Sequence, residues 1–144
     1  MSHDGREYDS RYLAGVLLFN RHEYFEAHEV WESLWLDANI GDNRRFVQGL
    51  IQAAVALYHF GNGNLRGALK LYKSGRDYMA VYPSPHLGLD GAKFWREMET
   101  CLAELLAAGE PPQGVTLNLH LRPTIELDPP PPAWPDPAVY LDDD

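Results

Sequence analysis

The sequence predicts an all-α fold, a single compact bundle of about five helices with an extended proline-rich C-terminal arm. Two observations predict it. Apolar residues recur at helical spacing as far as residue 108, and nine of the eleven prolines lie beyond residue 110. We therefore expect a helical bundle domain over residues 1–110. Residues 111–144 are expected to form a proline-rich, acidic arm that docks on the bundle, or a disordered tail.

The first two helices are predicted from their capping residues. Ser10 is a candidate N-cap for a helix that runs to about Leu18, with apolar side chains at helical spacing between them. Asn20 is the candidate N-cap of the second helix, because Glu23 stands where a capping box requires it. The second helix is expected to end near Ala38, before residues that favour a turn.

The later helices also begin after residues that favour capping. Each of the other three is predicted to follow a suitable N-cap side chain, namely Asp42 or Asn43, then Asn64, then Asp90. Glycine or proline is expected to end each of them, at Gly61, Pro83 and Gly109. The short connections between these helices favour antiparallel neighbours.

Composition and charge argue against several classes of partner. The net charge is −9 and no cluster of Lys and Arg suits a phosphate backbone, so no nucleic-acid partner is expected. The most apolar segment is about 12 residues long, short of the roughly 20 that cross a bilayer, so no membrane partner is expected. The first residues lack a secretory signal pattern, and a single cysteine forms no intrachain disulfide. These observations predict a cytoplasmic protein.

The stretch FEAHEVWE, residues 25–32, carries four polar side chains within about two turns of the second predicted helix. His28, Glu29 and Glu32 fall within roughly 100° of arc on one side of that helix, and Glu26 lies in the same stretch. Apolar and aromatic residues occupy most of the remaining circumference, which is typical of a buried helix.

The third predicted helix carries a similar stripe. Gln48, Gln52 and His59 lie within about 40° of arc on an otherwise apolar helix. We expect the second and third helices to pack antiparallel with the two stripes facing each other inside the bundle. We name these residues the polar seam, and its members are Glu26, His28, Glu29, Glu32, Gln48, Gln52 and His59.

Burial of the polar seam is costly unless each polar group finds a partner. Mutual hydrogen bonds would make it a structural network in a non-enzymatic protein that associates with itself as a homo-oligomer, or with another protein. A divalent metal ion would make it the centre of a metal-dependent, hydrolase-like enzyme. A small polar ligand would make it the floor of a sensor pocket. The sequence leaves open whether the protein is an enzyme.

Four members of the polar seam are the candidate metal ligands, His28, Glu29, Glu32 and His59. Glu and His at such helical spacing are used by metal sites in helical bundles. The motif differs from that of the HExxH zinc proteases, because position 32 is a glutamate where their second histidine stands. No catalytic residue and no cofactor other than this candidate divalent ion is predicted.

Two stretches carry a resemblance to a known family, FNRHEYFEAHEVWESLW at residues 19–35 and RFVQGLIQAAVALYHFGNGNLRGALKLY at residues 45–72. They resemble the EAHE and QGLIQ segments of the bacterial and archaeal proteins that carry domain of unknown function 309. The resemblance extends over roughly residues 12–82 and implies a small, cytoplasmic, all-α bundle. It implies no reaction, and although all seven members of the polar seam fall on the family's motif positions, it assigns none of them a role.

Overall fold

The computed structural model describes residues 8–109 and 113–141. Within these ranges the chain forms six α-helices and no β-strand, so the predicted all-α class is confirmed. The helices are α1 (Ser10–Asn20), α2 (Tyr24–Trp35), α3 (Arg44–Gly61), α4 (Leu65–Met79), α5 (Gly91–Cys101) and α6 (Ala103–Ala107). Three short 3₁₀ turns complete the secondary structure, at Gly41–Asn43, Leu119–Leu121 and Pro137–Tyr140.

Local capping determines where α1, α4 and α5 begin. The Asn64 side chain accepts the Gly67 amide at 3.0 Å, and the Asp90 side chain accepts the Lys93 amide at 3.1 Å. Both predicted N-caps are thereby confirmed. At α1 the cap is Asp9 instead of the predicted Ser10, because the Asp9 carboxylate accepts the Arg11 amide.

The predicted capping box at Asn20 is wrong. Helix α1 continues through Asn20, and α2 begins at Tyr24 with no side-chain cap. The Asn20 amide group instead donates to the Ile125 carbonyl at 2.9 Å and accepts the Ile125 amide at 2.8 Å. This pairing satisfies two side-chain atoms and two backbone groups together, which a capping bond does not.

Two other helix boundaries differ from the prediction. Helix α2 ends at Trp35, because the Asp37 side chain accepts the Asn39 amide at 2.8 Å and forms a local turn that competes with the helix. The single fifth helix predicted after Asp90 is broken into α5 and α6 at Leu102, where the backbone leaves helical geometry. Leu102 is itself fully buried in the core.

Helices α2, α3 and α4 lie side by side with α3 in the middle. The predicted antiparallel packing of α2 and α3 is confirmed by contacts at both ends of the pair. Phe25 meets Tyr58 with ring centroids 5.4 Å apart, and at the other end the Arg44 guanidinium lies 5.3 Å from the centre of the Trp35 ring.

The core of the bundle is anchored by Trp31, which is fully buried between α1 and α2. Its indole Nε1 donates to the Tyr12 carbonyl at 3.1 Å. The ring occupies the space where a side chain at Gly15 would stand, because a Cβ there would lie 2.0 Å from Nε1. The packing of α1 on α2 therefore requires glycine at position 15.

Residues 113–141 pack on the bundle. Ile125 and Leu127 are buried in the same hydrophobic cluster as the helices. The Tyr8 hydroxyl donates to the Pro129 carbonyl at 2.6 Å, and the Asp128 amide donates to the Gly88 carbonyl at 2.9 Å. The division into a bundle domain and a separate arm stays a prediction.

Apolar and polar side chains alternate in the segment TLNLHL, residues 116–121, which is a pattern typical of a strand, but the segment forms no strand. Asn118 accepts the His120 amide at 2.9 Å, and a 3₁₀ turn follows at Leu119–Leu121. A local side-chain bond to the backbone has displaced the extended conformation.

None of the described helices combines the length with the apolar character needed to cross a bilayer.

Contacts of its imidazole ring hold His86 in place in the loop before α5. Its Nε2 lies 2.8 Å from Asn43 Oδ1, and the ring centroids of Phe46 and Tyr82 are each 4.8 Å from its own. Burial lowers the pKa of His86 below its ordinary value of 6.5, because the charged ring loses solvation there.

We expect Gly15→Ala to lower the free energy of unfolding by about 1–3 kcal/mol, because the added methyl group overlaps the Trp31 indole. Gly61→Ala is the matched control, since a Cβ at Gly61 meets nothing closer than Leu117 Cδ2 at 3.7 Å. This control should cost less than about 1 kcal/mol or stabilise the helix. Urea denaturation measures both, and equal losses would contradict the proposed overlap.

Asn20→Ala should cost about 1–3 kcal/mol, because it leaves the partly buried amide and carbonyl of Ile125 without their partner. Limited proteolysis should also cut residues 113–141 sooner. The control is Asn62→Ala, which removes an exposed amide side chain. If both variants are cut at the rate of the parent, Asn20 does not anchor the segment.

The free energy of unfolding should fall as the pH is lowered, and His86 should contribute to that loss. The folded pKa lies below the unfolded value of 6.5, so the contribution of a neutral His86 is fully present above 6.5 and is lost as the pH falls through the folded pKa. Between about pH 7.5 and about pH 5 the parent should therefore lose more unfolding free energy than His86→Gln. Urea denaturation at the two pH values measures this, and identical losses would contradict it.

Candidate functional site

The polar seam is not buried. Glu29 and Glu32 are exposed, and the other five members are partly exposed. No polar or charged side chain within the described ranges belongs to the buried core. The prediction that the seam lies inside the bundle is therefore wrong.

The packing of α3 explains this outcome. Its buried side carries Phe46, Leu50 and Leu57, which share about 40° of arc. Gln48 and Val55 project from the opposite side and face outward. The mostly apolar circumference of α3 predicts that the helix is completely buried. In the structure, α2 and α4 cover only its two flanks and the core covers only one side, so the fourth side meets solvent.

Gln52 and His59 turn toward α4 instead of α2. The Gln52 side-chain oxygen accepts a hydrogen bond from the Ser74 hydroxyl. His59 Nδ1 lies 3.4 Å from Asn64 Nδ2, in the turn that precedes α4. The stripe on α3 is aligned as predicted, but these two of its members have their partners on the following helix and turn.

On α2, His28 and Glu26 occupy opposite flanks. His28 packs on Phe25, the residue that contacts Tyr58 of α3: its Nδ1 is 2.8 Å from the Phe25 carbonyl and its ring centroid is 5.0 Å from that of Phe25. Glu26 is about 160° away around the helix, on the side that faces away from α3. Glu26 therefore does not share a surface with the rest of the seam.

The four candidate metal ligands are not brought together. Within residues 8–109 and 113–141, no three His, Cys, Asp or Glu side chains are grouped closely enough to hold one metal ion. Glu29 and Glu32 are exposed on the outer side of α2, while His59 is directed toward Asn64. The expected ligand set is thus not assembled by the fold of this chain.

The seam residues other than Glu26 belong to a continuous outer surface of three helices, which we name the α2–α4 face. Its members are Phe25, His28, Glu29, Glu32 and Trp35 on α2, Gln48, Ile51, Gln52, Val55, Tyr58 and His59 on α3, and Lys70, Lys73, Ser74 and Tyr78 on α4.

The middle of the α2–α4 face is apolar and aromatic. Phe25 is 43% exposed and Tyr58 is 39% exposed, although both are large hydrophobic residues. Trp35, Ile51 and Val55 are partly exposed beside them. The Trp35 indole nitrogen is shielded from solvent and has no hydrogen-bond acceptor among the described residues. Apolar area of this kind on a surface is typical of an interaction site.

The two edges of the α2–α4 face carry opposite charge. Glu29 and Glu32 are exposed along α2, and Lys70 and Lys73 are exposed along α4. These lysines are not among the site residues that helical spacing predicts. The sequence does carry a signal for them: the polar side of the amphipathic helix α4 is basic, and the polar side of α2 is acidic. The two sides form one surface only when α3 is placed between the two helices.

Two proteins have sequences related to that of this chain. The chain is 29% identical over 104 residues to the uncharacterised protein YpuF of Bacillus subtilis (strain 168). This match covers 68% of this chain and 58% of YpuF. The chain is also 29% identical over 98 residues to an uncharacterised protein of Aquifex aeolicus (strain VF5). This second match covers 66% of this chain and 28% of that protein. The chain thus matches only part of the length of either relative.

A family match covers most of the α2–α4 face, but not Lys73, Ser74 and Tyr78. Residues 12–71 match the family described as Domain of unknown function (DUF309). This range runs from α1 into α4 and contains all seven members of the polar seam. Over residues 12–71, the chain is therefore similar to the family of domain of unknown function 309.

Proposed function

We propose that this protein is a self-associating helical module, in which the α2–α4 face of one copy binds the same face of a second copy. The observation that carries the proposal is the arrangement of the face: an acidic edge on α2, an apolar centre and a basic edge on α4. A surface that holds both charges on opposite edges is complementary to a copy of itself.

The apolar centre supplies the favourable free energy. Phe25 and Tyr58 are each about two-fifths exposed and already pack against each other. A second copy would remove these rings, together with Ile51 and Val55, from water. Aromatic residues near the middle of an interface commonly contribute most of its affinity.

The charged edges determine the orientation. A two-fold axis parallel to α3 would place α2 of each copy over α4 of the other. Glu29 and Glu32 of one copy then face Lys70 and Lys73 of its partner, twice in each dimer. A two-fold axis perpendicular to α3 would instead bring acids against acids, which is unfavourable.

The polar residues of the face then acquire a structural role. His28, Gln48 and Gln52 are partly exposed in the single chain and would be covered in the dimer. The structural role that the sequence suggested for the seam would thus operate between two copies.

We place this module in the cytoplasm, without a nucleic-acid partner. The support is the net charge of −9 and the single cysteine.

Charge reversal tests the interface. Glu29→Lys with Glu32→Lys should weaken self-association by at least about tenfold, because lysines then face lysines, and Lys70→Glu with Lys73→Glu should do the same. A variant that carries all four changes restores opposite charges and the original net charge, so it should associate like the parent. Sedimentation velocity over a concentration series measures each dissociation constant.

The matched control for the first pair is Glu99→Lys with Glu104→Lys. These residues are exposed on α5 and α6, outside the face, and their replacement changes net charge equally. The control should associate like the parent. A parent that is monomeric at every concentration would refute the proposal, and so would a folded four-change variant that fails to recover.

A further inference from the structure

A second feature lies away from the α2–α4 face, in a groove between α5 and residues 120–126. The groove has a volume of about 690 Å³. One wall is the outer side of α5, where Lys93, Arg96 and Thr100 follow one another at helical spacing. The other wall is the chain around Arg122 and Thr124.

Arg122 is held in the groove by the docking of the C-terminal segment. Its Nε donates to the Leu119 carbonyl at 3.0 Å, across the 3₁₀ turn. Pro123 is buried directly after it, and Asn20 binds the Ile125 backbone two residues later. The guanidinium therefore stands at a position that tertiary contacts determine.

The groove concentrates positive charge in an acidic protein. Three of the twelve Lys and Arg residues line it, although the net charge of the chain is −9. Its two acids, Glu97 and Glu126, each lie 3.9 Å from the Lys93 ammonium. Within the described ranges, neither Arg96 nor Arg122 has a carboxylate within 4.0 Å.

The field of Arg122 extends to its neighbours. Burial is the larger cause of the lowered pKa of His22, and the charge of Arg122 lowers that pKa further. Burial raises the pKa of Cys101 to about 11, and Arg122 opposes that rise. No carboxylate within salt-bridge distance neutralises this guanidinium among the described residues.

We propose that this groove binds a small anion that carries phosphate or carboxylate groups, with Arg96 and Arg122 as the anion-binding residues. A guanidinium presents a planar set of N–H donors that matches either group in a bidentate pair. His120 adds a further nitrogen, and Leu121 offers apolar contact for the remainder of the ligand. The site does not depend on self-association, because none of its residues belongs to the α2–α4 face.

Calorimetric titration of the full chain tests the proposal at low ionic strength, with inorganic pyrophosphate in one arm and citrate in the other. Arg96→Gln should weaken binding by about tenfold or more, and Arg122→Gln should do the same. The matched control is Arg66→Gln, which removes an exposed arginine on α4, outside the groove. Its affinity should equal that of the parent.

Binding in one arm only supports the site and identifies the anion class. The absence of binding in both arms up to about 10 mM would overturn the proposal. An equal loss in Arg66→Gln would also overturn it, since attraction to the whole protein would then explain the binding. Arg96 is exposed and is the decisive position if Arg122→Gln unfolds, which circular dichroism reveals.

Discussion

The close approach of α3 and α4 at two glycines is the constraint on which the α2–α4 face depends. A Cβ at Gly49 would lie 3.0 Å from the Gly75 carbonyl oxygen, and a Cβ at Gly75 would lie 3.1 Å from the Gly49 carbonyl oxygen. Because neither helix carries a side chain at the contact, the two backbones come close enough for Ser74 to donate to Gln52. The same contact brings the lysine edge of α4 beside the outer side of α3.

The opposite flank of α3 depends on how α2 is held in the core. The Trp31 indole fills the space over Gly15 and binds the Tyr12 carbonyl, so one side of α2 is committed to α1. With that side of α2 directed inward, Glu29 and Glu32 are necessarily on its outer side. Each edge of the α2–α4 face thus depends on a helix contact at glycine. The acidic edge depends on the contact of α1 with α2 at Gly15, and the basic edge depends on the contact of α3 with α4 at Gly49 and Gly75.

The C-terminal segment gives the bundle its second feature. Pairing of Ile125 with Asn20 returns the chain across the helices, and this return forms the wall opposite α5. Arg122 reaches that wall only because the residues around it are docked. The two proposals therefore rest on different parts of the chain, the groove on residues beyond Asp90 and the face on the three central helices.

The sequence alone determined what is local in this protein. The caps at Asn64 and Asp90 and the alignment of Gln48, Gln52 and His59 depend only on residues a few positions apart, so helical periodicity predicts them. The tertiary structure decided which side of each helix meets a neighbour and which meets water, because a periodic pattern shows that residues share a side without showing what that side faces. The pattern of the seam therefore predicts the interior of the bundle, although the seam lies outside. Asn20 stands where the local pattern predicts a helix cap, with Glu23 three residues later. Its partner is instead Ile125, which lies 105 residues further along the chain, and a local pattern carries no information about it.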